Sequence, residues 1–340
     1  MPLGRDSVPT FRLVPDRAGA NVDRDRVTGI VLGAAVGDAL GAPFEFAPRG
    51  TFSARLPDRR SDGVGDMIGG GAFDWEPGEF TDDTQMGLAL AASLLDLGGY
   101  DPDDLWQRWQ VWARTSIDVG NTTRFALHHD DWRDVAHPDP EMTAANGALM
   151  RAFPLALATL DVDVATSRAV TLHQSLLTHA HPAAAWGAWL GVAMMRAGAV
   201  GDDPLAALES ELVHLSQQDR STAERFIGTL DPRWGPEDGD RDRIGNGSVW
   251  GCLAQAVWAL RRHDRFADVV ADVVELGKDT DTVACVAGAI AGARDGTSSI
   301  PAGWLEPVHG TVDTPSGLVH YDREDLTRLA LQLARAPATD

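Results

Sequence analysis

Thr28-Gly29-Ile30-Val31-Leu32-Gly33-Ala34-Ala35-Val36-Gly37-Asp38-Ala39-Leu40-Gly41 decides how this chain is built. The stretch reads as an apolar helix, yet it carries glycine at positions 29, 33, 37 and 41. Residues four apart share a helix face, so the glycines form a smooth stripe that another backbone can approach closely. Glycine costs roughly 1 kcal/mol against alanine inside a helix, so its repetition needs a packing reason. Ala284, Gly288 and Gly292 repeat the spacing much later in the chain. The two segments are expected to pack on each other or on a common partner.

The second series follows directly on Asp279-Thr280-Asp281-Thr282, and a matching cluster, Thr81-Asp82-Asp83-Thr84, precedes another alanine-rich helical pattern. Taken singly, each cluster can be a helix cap: Thr81 at the N-cap with Asp82 and Asp83 in the first turn, and Asp279 or Thr280 likewise. Brought together, the carboxylates repel one another unless a cation neutralises them. An all-oxygen set of carboxylates and hydroxyls suits hard ions such as Mg²⁺ or Mn²⁺. Two such ions roughly 3.5–4 Å apart can orient a substrate and activate a water. The expectation is therefore a two-cation centre assembled from both segments.

Composition sets the frame. The 340 residues are 44% apolar, enough for a sizeable core, and the formal charge of −21 argues against binding a nucleic-acid backbone. The two cysteines, Cys252 and Cys285, sit in apolar helical patterns and read as buried thiols. Residues 1–6 lack the apolar core of a signal peptide, and the apolar run Ala183–Met195 is too short to span a bilayer. A cytoplasmic monomer with no membrane partner is expected. Lys278, the single lysine, stands immediately before Asp279.

Helical periodicity recurs over Gln85–Leu97, Asp103–Ala113, Thr166–His173, Pro182–Ala197, Leu205–Gln217, Val249–Arg262, Arg265–Leu276 and Arg323–Ala334. Strand-like alternation is scarce. Pro48–Glu79 and Asp231–Gly247 are rich in Gly, Pro and Asp and read as long loops over a site. Residues 1–22 read as a flexible arm and 23–338 as one compact all-α domain of many helices.

These residues resemble a known family. Gly33-Ala34-Ala35-Val36-Gly37-Asp38-Ala39-Leu40-Gly41 with Glu45 after it is similar to the opening motif of the ADP-ribosylglycohydrolases. Phe80-Thr81-Asp82-Asp83-Thr84-Gln85-Met86, Asn146-Gly147-Ala148-Leu149-Met150-Arg151, Thr178-His179-Ala180-His181-Pro182 and Gly277-Lys278-Asp279-Thr280-Asp281-Thr282 continue it in the family's order. The resemblance spans roughly residues 25 to 295 and is nearest to the dinitrogen-reductase-activating subgroup. It implies an all-α fold with Thr81, Asp82, Asp83, Asp279, Asp281 and Thr282 holding two divalent cations, Mg²⁺ or Mn²⁺. Glu45 and Asp82 are then the candidate catalytic carboxylates. Asn121, Asn146, Gly147, Ala148, Met150, His179 and Ser248 fall on the substrate side.

The implied reaction cleaves C1″ of ADP-ribose from its conjugate, foremost an arginine on a protein. Serine, nucleic-acid or small-molecule conjugates, and a non-catalytic ADP-ribose binder, are the alternatives. The chain departs from the family in places: Ala145 and Ala148 replace a glycine and a serine of the phosphate-side loop, and Lys278 replaces a glycine. Ser248 stands where an aromatic residue is common, so Trp250 or Phe80 would have to stack on adenine. His179 and His181 lack the further ligands that zinc needs. Asp238, Asp240 and Asp242 imitate a calcium loop, but Arg243 occupies the glycine position and Val249 the glutamate position. Trp106, Trp109 and Trp112 share a helix face and read as core.

Overall fold

The computed structural model describes residues 7–13, 22–58 and 60–335. Its helices of seven residues or more begin with α1 (Arg24–Gly41), α2 (Asp82–Leu97), α3 (Pro102–Trp112) and α4 (Asn121–Leu127). Next come α5 (Val164–Leu176), α6 (Pro182–Ala199), α7 (Pro204–Gln218) and α8 (Arg220–Thr229). The last are α9 (Val249–Arg262), α10 (Phe266–Glu275), α11 (Thr280–Asp295) and α12 (Arg323–Leu333). A hairpin of β1 (His309–Thr314) and β2 (Gly317–Asp322) lies between α11 and α12.

The two small-residue stripes meet. A Cβ built on Gly29, Gly33 or Gly37 would lie 2.3, 2.3 or 1.9 Å from the carbonyl oxygens of Gly292, Gly288 and Ala284. No side chain fits there, so α1 and α11 run backbone against backbone. Asp23 starts α1 by accepting from the amides of Asp25 and Arg26, and every residue from Val27 to Gly41 is buried. The pair is the hub of the molecule: α6, α9 and α10 pack around α11, and α12 covers α1. Arg24–Phe44 is long and apolar enough to cross a bilayer by composition, but here its apolar stretch, from Val27 onward, is enclosed by protein.

Because Gly41 ends α1 against the backbone of Asp281, the start of α11 is pinned beside the end of α1. The three tryptophans of α3 fix α2 in turn. Trp109 donates to the Met86 carbonyl and Trp112 to Gln85 Oε1, while Trp106 is buried alongside. Both acidic helix starts are thus held by rigid packing, the condition for a reproducible site.

The structure departs from the periodicity in several places, among them a short helix, Thr51–Arg55, inside the expected loop Pro48–Glu79. The hairpin pairs His309 with Asp322 through Thr314 with Gly317, and its β1 reaches Phe80, whose amide donates to the His309 carbonyl. Only Gly310 and Val312 of β1 are buried and β2 is almost wholly exposed, so no apolar alternation marks the strands. The α8 helix was not anticipated, and the loop 231–247 contains a short helix, Pro236–Arg241. Within the expected arm, Phe11 is buried and Arg12 bridges Gly99 across the end of α2. Residues 1–6, 14–21 and 336–338 of the expected arm and domain lie outside the described residues.

Candidate active site

Asp38, in the last turns of α1, organises the start of α2. Its carboxylate accepts from the amides of Thr81 and Thr84 (3.0 Å each) and from their hydroxyls at 2.7 and 2.6 Å. Thr81 occupies the N-cap position of α2, but its side chain does not cap the helix. The hydroxyl proton goes to Asp38, which leaves the Thr81 Oγ1 lone pairs for another partner. Burial pushes Asp38 up to about 6, against the pull of those four bonds. Asp38 lay in plain view in the opening motif, and sequence reasoning gave it no role.

Around this anchor the two acidic clusters converge. Asp82, Asp83 and Asp281 are held well above the usual carboxylate range, first by burial and then by neighbouring carboxylates: Asp118 for Asp82, Asp38 for Asp83, and Asp83 for Asp281. Asp279 is raised by burial, with Asn146 Nδ2 donating to its Oδ2 at 2.7 Å. Asn246, buried below, donates to the Gly277 carbonyl at 3.0 Å and so holds the turn that delivers Asp279. Burial, Asp118, Asp279 and Asp38 push Glu45 up to about 9. Burial raises Asp118 to about 6. One oxygen each from Glu45, Asp118 and Asp281 can lie within 4.8 Å of one another.

This donor set fits hard cations. It is all oxygen, and two of its buried atoms, Glu45 Oε2 and Asp83 Oδ1, have no hydrogen-bond partner among the described residues. Without positive charge the carboxyls can coexist only by retaining protons, which is what their raised pKa values express. A divalent ion removes that need.

The cluster floors a cleft of about 860 Å³. Glu45, Asp82, Asp279, Asp281 and Thr282 line it, as do Asn121, Asn146, Gly147, Met150 and His179. Thr81 and Asp83 lie fully buried behind that surface. Two expected substrate residues are elsewhere. Ala148 is buried with its carbonyl accepting from Gln174 Nε2, and Ser248 caps α9 by accepting from the Gly251 amide. Neither expected stacking residue faces the cleft either: Trp250 lies under the Arg225 guanidinium, 3.9 Å from its ring centroid, and Phe80 lies beneath Gly310. The cleft's phenyl rings are Phe46 and Phe125. No motif contained them, and Phe46 reaches the rim only through a left-handed backbone (φ 62°).

The remaining sequence features find ordinary explanations. His181 caps α6 through Nδ1, which accepts from the Ala183 amide, while His179 faces the cleft. Asp238 accepts from the Gly235 amide at the start of a short helix. Lys278 pairs with Asp240 at 2.9 Å on the surface, and its backbone carbonyl accepts from the Phe46 amide. Arg151 is fully buried and turned into the core, unavailable to a phosphate. Asp118 is a second carboxylate that motif reading missed; it stands three residues ahead of Asn121.

Comparison with known proteins agrees with this geometry. A family model described as ADP-ribosylglycohydrolase matches residues 20–340. An ADP-ribosyl-[dinitrogen reductase] glycohydrolase of Rhodospirillum rubrum is 33% identical over 293 residues, covering 85% of this chain and 92% of that protein. An ADP-ribosylarginine hydrolase of Serratia proteamaculans is 32% identical, covering 83% of this chain and 75% of that protein. A solved structure described as an ADP-ribosylglycohydrolase-related protein complex superposes with a TM-score of 0.72 at 33% identity, over 92% of this chain and 98% of that one.

Proposed function

The chain belongs to the ADP-ribosylglycohydrolase family, and we propose on that premise that it is a cation-dependent hydrolase releasing ADP-ribose from arginine side chains of a modified protein. The observation that carries this reading is the meeting of Glu45, Asp118 and Asp281 oxygens within 4.8 Å at the floor of a cleft walled by Asn146, Gly147 and His179. Two relatives named for an arginine or dinitrogen-reductase substrate support that choice of leaving group.

Thr81, Asp82, Asp83, Asp279, Asp281 and Thr282 are the residues we assign to two Mg²⁺ or Mn²⁺ ions. Such ions, when bound, supply positive charge to ribose hydroxyls and acidify a water. The rest is done by the protein. The amides around Gly147 offer donors on the wall beside the centre, while both Asn146 Nδ2 protons are given to the Asn246 carbonyl and Asp279 Oδ2. Glu45, which lines the cleft, is our candidate for delivering a proton to the departing nitrogen. Asp82, which also lines the cleft, is our second acid/base candidate, the one that would take a proton from the attacking water. The C1″–N bond breaks, a C1″–O bond to water forms, and the unmodified arginine side chain and ADP-ribose part. The carboxylates lining the cleft also suit a guanidinium leaving group better than a neutral one.

The deciding measurement is release of free ADP-ribose from arginine-, serine- and nucleic-acid-linked conjugates, with Mg²⁺ or Mn²⁺ and with EDTA. Cation-dependent release from the arginine conjugate is expected. Release from serine alone would move the linkage. Tight ADP-ribose binding with no release from any conjugate would make the protein a binder.

A further inference from the structure

His179 sits in the wall of the cleft at 1% exposure, and its Nε2 has no hydrogen-bond partner among the described residues. The ring edge carrying Nε2 lies against Gly147, where a Cβ would come within 3.3 Å of Cε1 and 3.4 Å of Nε2. Its other nitrogen, Nδ1, is 2.8 Å from Thr178 Oγ1. Behind that hydroxyl stands Arg151, fully buried, whose Nη2 donates to Thr178 Oγ1 at 2.8 Å and to the Gln174 carbonyl at 3.0 Å. Arg151 Nε donates to Gln174 Oε1 at 3.0 Å, and its guanidinium lies 3.9 Å from the centroid of the Trp109 ring. The arginine is therefore fixed on three sides.

Only one arrangement of protons along this chain satisfies the Thr178 hydroxyl. Arginine can only donate, so it occupies a lone pair of Thr178 Oγ1. The hydroxyl has one proton, and Nδ1 of His179 is the one acceptor the described residues offer it. If Nδ1 instead carried a proton and donated to Oγ1, the buried hydroxyl proton would have no acceptor, which folded proteins avoid. We propose that Arg151 and Thr178 are positioning residues that lock His179 as a neutral Nε2–H donor, committed to an oxygen acceptor of the bound substrate. Such a histidine serves neither as a base nor as a metal ligand, because Nε2 has no lone pair to offer. Burial and the nearby Arg151 charge also hold His179 well below the usual imidazole range, consistent with a neutral ring. The identity of the acceptor, an oxygen of ADP-ribose, rests on the function proposed above; the tautomer does not.

The test reads the tautomer directly. In the ¹⁵N–¹H spectrum of the full-length, ligand-free protein, with His179 assigned by loss of its signals in His179→Gln, the pattern of a protonated Nε2 and bare Nδ1 is expected. Thr178→Val should leave the ring a mixture of both tautomers and weaken ADP-ribose binding about tenfold, the size of one hydrogen bond. Thr178→Ser, which keeps the hydroxyl, should restore both readings. A wild-type His179 protonated at Nδ1 overturns the proposal, as does a Thr178→Val protein with unchanged tautomer and affinity. If Thr178→Val does not fold, the wild-type spectrum still decides. Failure of the wild type to bind ADP-ribose would instead count against the proposed function and leave the tautomer result standing.

Discussion

Lys278 holds φ at 66°, a left-handed conformation that costs a residue with a Cβ roughly 1–2 kcal/mol. Two backbone bonds enforce it: the Lys278 amide donates to the Ala47 carbonyl, and the Phe46 amide donates to the Lys278 carbonyl at 2.6 Å. Its ion pair with Asp240 is exposed on both sides and contributes little. Lys278→Gly should therefore be more stable than Lys278→Ala by about 1 kcal/mol in denaturant unfolding, since both lose the pair and only glycine loses the strain. Equal stability would mean that the turn is not strained. Asp281 sits at the opposite extreme, where the charge itself is the burden. Asp281→Asn keeps the shape and removes one of several crowded carboxylates, so the protein in EDTA should melt higher than wild type. The same change should cut hydrolysis on the order of a hundredfold or more and reduce cation-induced stabilisation. A variant as active as wild type with the same cation response would remove Asp281 from the centre. Asp82, Asp83, Asp279 and Asp281 are legible in the sequence because acidic residues paired with threonines at two helix starts form a local signal. Asp38 and Asp118 carry no such signal, because each stands alone among apolar or loop residues. Their meaning depends on what folds against them: four Thr81 and Thr84 donors in one case, and Glu45 and Asp281 in the other.

Between α1 and α11 there is no room for any side chain, and that contact carries the site. Gly37→Ala would push a Cβ to within 1.9 Å of the Ala284 carbonyl, a collision of backbone with backbone that no rotamer relieves. The helices must separate, so a loss of about 3 kcal/mol or failure to fold is expected. Gly228, in α8, faces open space, and Gly228→Ala should instead stabilise by about 0.5–1 kcal/mol through helix propensity. Opposite signs in unfolding experiments on the two variants are the check; two similar values would show that glycine's backbone freedom, not the close approach, governs. This element pair was legible because helical spacing and glycine repetition are local signals. Val249–Arg262 matched its pattern to the residue, and most other helices differed only at their ends. The hairpin and α8 were illegible for a shared physical reason. Little of the hairpin is buried, and the buried face of α8, Thr222, Ala223, Phe226 and Thr229, is half threonine, so the apolar rhythm of both is weak.

At the scale of the whole molecule, the acidic centre couples stability to pH and to cations. Glu45 is raised from 4.5 to about 9, and Asp38 and Asp118 from 3.8 to about 6, with Asp82, Asp83, Asp279 and Asp281 raised as well. A carboxyl with a raised folded pKa binds its proton more tightly in the folded state than in the unfolded one. Its contribution is fully present below the unfolded value and is lost as pH rises through the folded value. Surface carboxylates work in the opposite sense: Asp231, lowered to about 2 by Arg233, contributes above the unfolded value and loses that contribution only in acid. Above about pH 5 the surface groups have finished titrating, so the buried set dominates the next several units. Cation-free protein should therefore lose stability from about pH 5 to about pH 8, as the crowded carboxyls are forced to ionise. Divalent cations compete with those protons for the same oxygens, so they bind more tightly as pH rises and stabilise by mass action. The upward shift in melting temperature produced by a fixed excess of Mn²⁺ over an EDTA control should accordingly be larger at about pH 8 than at about pH 5. Calorimetric titration in two buffers of different ionisation enthalpy should show proton release on Mn²⁺ binding near neutrality. Equal melting shifts at both pH values, with no proton release, would mean that the cation does not bind at these carboxyls.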